Sequence, residues 1–352
     1  MRAIIFRDIE QLELATVPDP TIVDDGDVIV AVDAAGVCGS DLHPYLGRER
    51  GLDRGTVMGH ELVGRIEEVG AGVHSFRVGD RVVAPFTTNC GACWACEIGL
   101  TSRCVRGQLL GWVQDGRGLH GAQAELVRVP LADSTLVGVP DALVDDAAAV
   151  LAGDVLATAM FGAELAGVSA GDVVAIVGCG PVGLLAIRAA LARGAAVVFA
   201  LDSVASRLEL AARFGASPVD ISAGDPVVHV RERTNGRGVD RVIEAVGSPA
   251  ATRTAADLAR PGGSIAALGI HTEPHLALPP GELYDRNLSY SAGRCPARRL
   301  LPAALEVAVR DASLLATLVT HRLPLAAGID AYRRLAARED GWGKVVLGPQ
   351  LR

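Results

Sequence analysis

Val173-Val-Ala-Ile-Val-Gly178-Cys-Gly-Pro-Val-Gly183 joins five apolar residues to a G-x-G-x-x-G turn that opens a helical Leu-Leu-Ala-Ile pattern. Each position answers a physical demand of dinucleotide binding. Gly178 permits the tight turn after a strand, and Gly180 lets backbone approach a pyrophosphate. Gly183 allows the helix to pack closely on the strand. Pro181 and Val182 begin that helix, whose N-terminal N–H groups face an anion without intrahelical partners. A second strand, 197–201, ends at Asp202, close to the ~20 residues beyond the glycines where an acid meets the adenosine ribose. A carboxylate there accepts from both ribose hydroxyls and repels a 2′-phosphate, so NAD is expected over NADP. Arg207 either flanks that ribose or faces solvent.

Outward from this stretch, strands are expected over 173–177, 197–201, 241–245 and 265–268, with a helix over 181–193. Strands and helices alternating at this rhythm make βαβ units and a parallel sheet. Upstream of Ala142 the texture differs. Short alternating runs such as Asp27-Val-Ile-Val-Ala-Val and Gly79-Asp-Arg-Val-Val-Ala are broken by Gly, Pro and Asp, as in an irregular β domain. A chain of 352 residues exceeds what one core usually serves. The expected fold class is therefore α/β, a doubly wound Rossmann domain over 156–290 beside a mostly-β domain over 1–155. The tail, 291–352, closes with Lys344-Val-Val-Leu and returns to the first domain, which is thereby discontinuous.

Cys90, Cys93, Cys96 and Cys104 crowd into one short stretch, while Cys38, Cys179 and Cys295 stand apart. This is not the disulfide framework of a small secreted domain. Four thiolates at C-x2-C-x2-C-x7-C spacing can close a tetrahedron around zinc with no open position, a structural site on a lobe spanning 88–106. An iron–sulfur run would have a tighter last spacing followed by proline, whereas Val105 follows Cys104. A second polar knot is Cys38-Gly-Ser-Asp-Leu-His43, and a third is Gly59-His60-Glu61. Asp154 lies in an otherwise apolar segment, where a carboxylate is expensive unless paired or metal-bound. One sulfur, one imidazole and one carboxylate leave a fourth position open, as catalytic zinc requires.

The formal net charge of −8 argues against nucleic acid as the main partner. The N-terminus has no apolar run of signal-peptide kind. The most apolar stretch, 147–170, is interrupted by Asp154 and Glu164, so no membrane span is expected. Clustered reduced cysteines suit the cytoplasm.

On these motifs the chain resembles the zinc-dependent medium-chain dehydrogenases, the alcohol, polyol and formaldehyde dehydrogenase superfamily. The likeness spans essentially the whole length. It runs through Gly59-His-Glu-x2-Gly64-x5-Gly70, Gly79-Asp-Arg-Val, the four-cysteine lobe, the glycine-rich turn and Lys344-Val-Val-Leu. Asp154 with Thr158 and Phe161-Gly-Ala-Glu, together with Cys295-Pro-Ala-Arg-Arg and His321-Arg-Leu-Pro-Leu, is similar to a bacterial formaldehyde- and short-chain-alcohol-dehydrogenase-like branch with aspartate as third zinc ligand.

The resemblance implies that the first domain is GroES-like and that Cys38, His60 and Asp154 hold the catalytic zinc. It gives two zinc ions per chain. Ser40 would bond the zinc-bound alcohol, and His43 would pass its proton through the cofactor ribose to solvent. Thr158 would touch the nicotinamide and Lys344 the pyrophosphate. Glu61 would sit behind the metal or bind it transiently. Two departures stand out: Ala159 follows the threonine in place of glycine, and a long insertion of the glutathione-independent formaldehyde enzymes is missing. The implied activity is hydride transfer between a small alcohol and NAD, in a homodimer or homotetramer. The alternative on the same fold is a biosynthetic carbonyl or imine reductase. Trp112, Leu119, His120 and Leu283 are candidate pocket residues.

Overall fold

In the computed structural model, residues 1–349 are described; the last three residues of the expected first domain, 350–352, lie outside them. The chain forms two units, Met1–Ala157 with Pro296–Arg352, and Thr158–Cys295. A boundary after residue 290 would cut the strand Ser289–Ala292, which belongs wholly to the second unit, so that expectation is corrected.

The first unit is built on a seven-stranded sheet. Its path runs Val319–Pro324, Lys344–Gly348, Val28–Val37, Leu62–Val69, Arg81–Ala84 and Val137–Gly138. The long Val28–Val37 strand pairs along one side with Leu62–Val69, and on the other with Leu126–Val129 and Lys344–Gly348. Except for the parallel pair formed by Val319–Pro324 and Lys344–Gly348, these pairings are antiparallel. Val28, Val30, Val32, Leu62, Ile66, Val82 and Ala84 supply one core. Ile4, Met58, Tyr332, Val345 and Leu347 supply a second, where the tail joins the N-terminal strands.

The second unit has six parallel strands in the order Ser217–Asp220, Val197–Asp202, Val173–Val177, Val239–Glu244, Ala259–Ala267, Ser289–Ala292. The chain starts in the middle, builds outward to one edge, then crosses back to build the other. The switch falls between Val173–Val177 and Val239–Glu244, and nucleotides bind at the carboxyl ends beside such a point. Both edge strands escaped the sequence reading because Ser-Pro-Val-Asp and Ser-Tyr-Ser-Ala are short and polar. The fifth strand begins well before 265: Ala259 already pairs with Val239, and the register slips where Arg260-Pro-Gly-Gly intervenes.

Asp146–Leu165 is long and apolar enough to cross a membrane, but 72% of its apolar window is buried inside the molecule, as in a core helix. Within it, Ala152–Leu156 is a π-helical stretch. Gly153 is forced there, since a Cβ would lie 2.5 Å from the Ala84 carbonyl oxygen.

Candidate active site

Donor atoms of Cys38, His60, Glu61 and Asp154 lie within 4.8 Å of one another. Three elements deliver them. Cys38 follows the Val28–Val37 strand and precedes the 3-10 turn Gly39–Asp41. His60 and Glu61 enter the Leu62–Val69 strand, and Asp154 sits on the π-helical stretch. Cys38 Sγ is 3.5 Å and His60 Nε2 3.4 Å from Asp154 Oδ2. Zinc bonds of about 2.3 Å to sulfur and 2.0–2.1 Å to nitrogen or oxygen, set tetrahedrally, separate ligand atoms by about 3.3–3.6 Å. The three donors therefore fit one ion.

Electrostatics point the same way. Burial pushes the Cys38 thiol up, and the Asp154 charge adds to it. Burial opposes ionisation of Asp154 too, but hydrogen bonding and charge from His60 outweigh it and hold the carboxyl below its usual range. For His60, burial works against the imidazolium, yet Asp41 first and then Asp154 raise it well above its ordinary value. An anionic cluster that borrows a proton to stay buried is one that a divalent cation satisfies.

Glu61 is fully buried and turned onto Lys344, whose Nζ is 2.5 Å from Oε1 and also contacts Oε2. Burial raises the Glu61 carboxyl to about 7 even with Lys344 beside it. Lys344, 1% exposed, also donates to the Val37 carbonyl. Lys344, for which the resemblance implies a pyrophosphate contact, lies here against a buried carboxylate.

Sequence reasoning missed the residues behind the cluster. Asp41 Oδ1 is 3.0 Å from His60 Nδ1, while its Oδ2 accepts the Cys38 N–H at 2.9 Å. A carboxylate on the far nitrogen fixes ring orientation and leaves Nε2 for a metal. Gln123, fully buried, donates to Asp41 and to the Gly36 carbonyl, and accepts from Tyr332 Oη at 2.9 Å. Asp41 was legible as the acid of Cys-Gly-Ser-Asp; Gln123 and Tyr332 carried no signal.

Ser40 Oγ lies 3.1 Å from His60 Nε2, so its hydroxyl reaches the donor cluster. His43 is half-buried on the short helix Leu42–Tyr45. Of the pocket candidates, Leu119 and Leu283 pack in or against the hydrophobic cores, and His120 Nδ1 accepts the Val57 N–H at 3.1 Å. Trp112 donates to Gln114 from a short two-stranded ribbon.

The sulfurs of Cys90, Cys93, Cys96 and Cys104 form the second cluster. Cys93 Sγ is 3.6 Å from Cys96 Sγ and 3.8 Å from Cys104 Sγ; a tetrahedron with ~2.3 Å bonds has an edge of about 3.8 Å. Backbone N–H groups of Val105 and Cys96 bring the Cys93 thiol down to about 6. All seven cysteines are free.

In the second unit, Gly178 takes φ +93° and Gly180 caps the helix Pro181–Ala192, with Pro181 at its first position. A Cβ on Gly183 would lie 1.8 Å from the Gly178 carbonyl oxygen, whereas one on Gly180 would meet nothing within 4 Å. The turn is closed beneath and open above, a shape that fits a pyrophosphate. Asp202, 9% exposed, accepts from Cys179, Ser203 and Val204 N–H groups at 2.7, 2.8 and 3.0 Å. It thus also clamps the glycine-rich turn to the next strand. Arg207 Nη1 lies 3.8 Å from its carboxylate. Thr158 stands in the first turn of Ala157–Leu165, half-buried, and Ala159 is fully buried. Cys179 and Cys295 are buried and belong to neither cluster of candidate ligands.

Residues 24–141 match the alcohol dehydrogenase GroES-like domain family, and residues 181–309 match the zinc-binding dehydrogenase family. A medium-chain reductase/dehydrogenase of Acremonium sp. is 47% identical over 79% of this chain and 96% of its own length. A zinc-type alcohol dehydrogenase B of Aspergillus flavus is 40% identical over 94% of this chain and 78% of its own. Among solved structures, an alcohol dehydrogenase from Thermus sp. ATN1 superposes with a TM-score of 0.92 at 36% identity, covering 99% of each chain.

Proposed function

The chain belongs to the zinc-dependent medium-chain alcohol dehydrogenase superfamily, and from that membership we propose an NAD-dependent alcohol dehydrogenase that exchanges hydride between a small alcohol and its aldehyde or ketone. The observation that carries it is the meeting of Cys38, His60 and Asp154 at metal-ligand separations, with the Ser40 hydroxyl beside them. Those three residues would hold a catalytic zinc, and Cys90, Cys93, Cys96 and Cys104 a structural one. When bound, the catalytic ion supplies Lewis-acid polarisation of the alcohol oxygen, and the nicotinamide supplies the hydride acceptor.

The chain's own residues do the rest. Cys38 and Asp154 bring two negative charges to the metal position, and Asp41 keeps His60 aimed at it. Ser40 would accept the alcohol's proton at Oγ as it gives up its own hydroxyl proton, which His43 would pass on to solvent. Gly178, Gly180, Pro181, Val182 and Gly183 would cradle the pyrophosphate. Thr158 would border the nicotinamide, and Arg207 would flank the adenosine ribose. Asp202 favours NAD because its charge opposes a 2′-phosphate. A reducing, cytoplasmic setting suits seven free thiols. The open edge at Ser289–Ala292 suits sheet-to-sheet pairing in a homodimer or homotetramer.

The test is a screen of primary, secondary and polyol alcohols with NAD, following NADH formation, with Cys38→Ser as control. Turnover in wild type and its loss in the control are expected. Absence of both alcohol oxidation and carbonyl reduction, or turnover retained in Cys38→Ser, overturns the reading. The 47%-identical relative named a reductase/dehydrogenase favours a second reading: a carbonyl or imine reductase, which NADPH preference and turnover of a ketone or imine without oxidation of the screened alcohols would reveal.

A further inference from the structure

Glu244 closes the strand Val239–Glu244 with its side chain fully buried. Its Oε1 accepts the Val246 N–H at 2.6 Å and the Gly247 N–H at 2.8 Å, and its Oε2 lies 3.0 Å from His271 Nε2. His271 belongs to the loop after the next strand, Ala259–Ala267, and its Nδ1 is 4.0 Å from Glu273. One carboxylate thus ties two loops, both at carboxyl ends of the sheet. The loops are also in backbone contact, since a Cβ on Gly269 would lie 2.0 Å from Gly247 N and one on Gly247 would lie 2.4 Å from Ile270 O. A Cβ on Gly178 would lie 2.5 Å from Val246 Cγ2, so the first loop also abuts the glycine-rich turn. Val246 and Ile270 are 43% and 41% exposed, two branched apolar side chains left in the open beside a polar cradle.

A dinucleotide laid across the switch point puts its adenosine half over the Val197–Asp202 side and its other half over the Val239–Glu244 side. We propose that Glu244 and His271 are positioning residues for the nicotinamide half, welding the two loops so that Val246 and Ile270 offer an apolar face to that half of the cofactor. This rests on the dinucleotide reading above. Without the His271 donor, Oε2 of a buried carboxylate loses its one partner from the second loop, and only the Leu268 and Gly269 N–H bonds to the Glu244 carbonyl and the backbone contact at Gly247 still join the loops.

The test compares binding of NADH and of ADP-ribose, which lacks the nicotinamide, in wild type, His271→Ala, His271→Gln and Glu244→Gln, with KM for NAD and kcat alongside. His271→Ala is expected to weaken NADH and raise KM for NAD by about tenfold, leaving ADP-ribose affinity unchanged. His271→Gln, whose amide N–H reaches the same oxygen, is expected to recover most of that loss. Glu244→Gln tests the acceptor directly; should it not fold, the two His271 variants decide. Wild-type NADH affinity in His271→Ala, an equal loss of ADP-ribose affinity, or no recovery with Gln overturns the proposal. A wild type that binds neither ligand overturns the dinucleotide reading and this inference with it.

Discussion

Asp41 shows how much of the candidate metal centre rests on a residue outside its ligand set. It takes the Cys38 N–H with one oxygen and faces His60 Nδ1 with the other, so it orients two of the three candidate ligands at once. Asp41→Asn keeps an acceptor for His60 Nδ1–H but removes the charge that makes Nε2 a stronger donor to a metal. A 10- to 100-fold fall in zinc affinity, of the order seen for such partners, is expected in a chelator competition, with the fold unchanged by circular dichroism. Unaltered affinity would leave Asp41 a turn cap only. At Asp202 the expectation differs in kind. Asp202→Ala removes the charge that opposes a 2′-phosphate, but also the clamp on the Cys179 N–H. The NAD-to-NADP ratio of kcat/KM should fall, with weaker binding of both; a wild type already preferring NADP contradicts the cofactor assignment.

At the scale of elements, the four-cysteine lobe has little apolar material of its own, and Trp94, Ile98 and Val105 are exposed. Its order is therefore expected to come from the metal. Cys93→Ser should release one zinc per chain by mass spectrometry and expose the lobe to proteolysis, while soluble, protease-resistant protein lacking that zinc would argue against a structural role. In the second unit, Glu282 accepts from both Arg253 and Arg286 and joins the helices Pro249–Leu258 and Pro280–Asp285. The Arg253 hydrogen bond is the main cause that brings its carboxyl down to about 2, from 4.5. A depressed folded-state pKa adds stability that is present above 4.5 and lost as pH falls toward 2. Glu282→Gln should lower Tm by a few degrees at neutral pH and converge with wild type at the acid end of that window.

For the whole molecule, both candidate metal clusters fall in the unit Met1–Ala157 with Pro296–Arg352, and none of their ligands in Thr158–Cys295. Metal stripping should then raise hydrogen exchange around 36–43, 59–64, 88–106 and 150–156 while leaving the parallel sheet protected. Uniform loss of protection over both units would show that the metals stabilise more than their own unit.

What the sequence determined by itself was whatever short-range pattern encodes: the glycine-rich turn, the alternation of strand and helix, and the spacing of the cysteine lobe. Each is a local demand of backbone geometry or donor chemistry, and local demands are written in neighbouring residues. The tertiary structure decided what depends on partners distant in the chain. Lys344 reads as a free cation beside a cofactor, yet burial next to Glu61 spends its charge inside the protein. Gln123 and Tyr332 have no motif, and only folding sets them behind Asp41. The π-helical turn under Asp154 and the polar edge strands were likewise invisible, because packing against the rest of the sheet, not propensity, holds them in place.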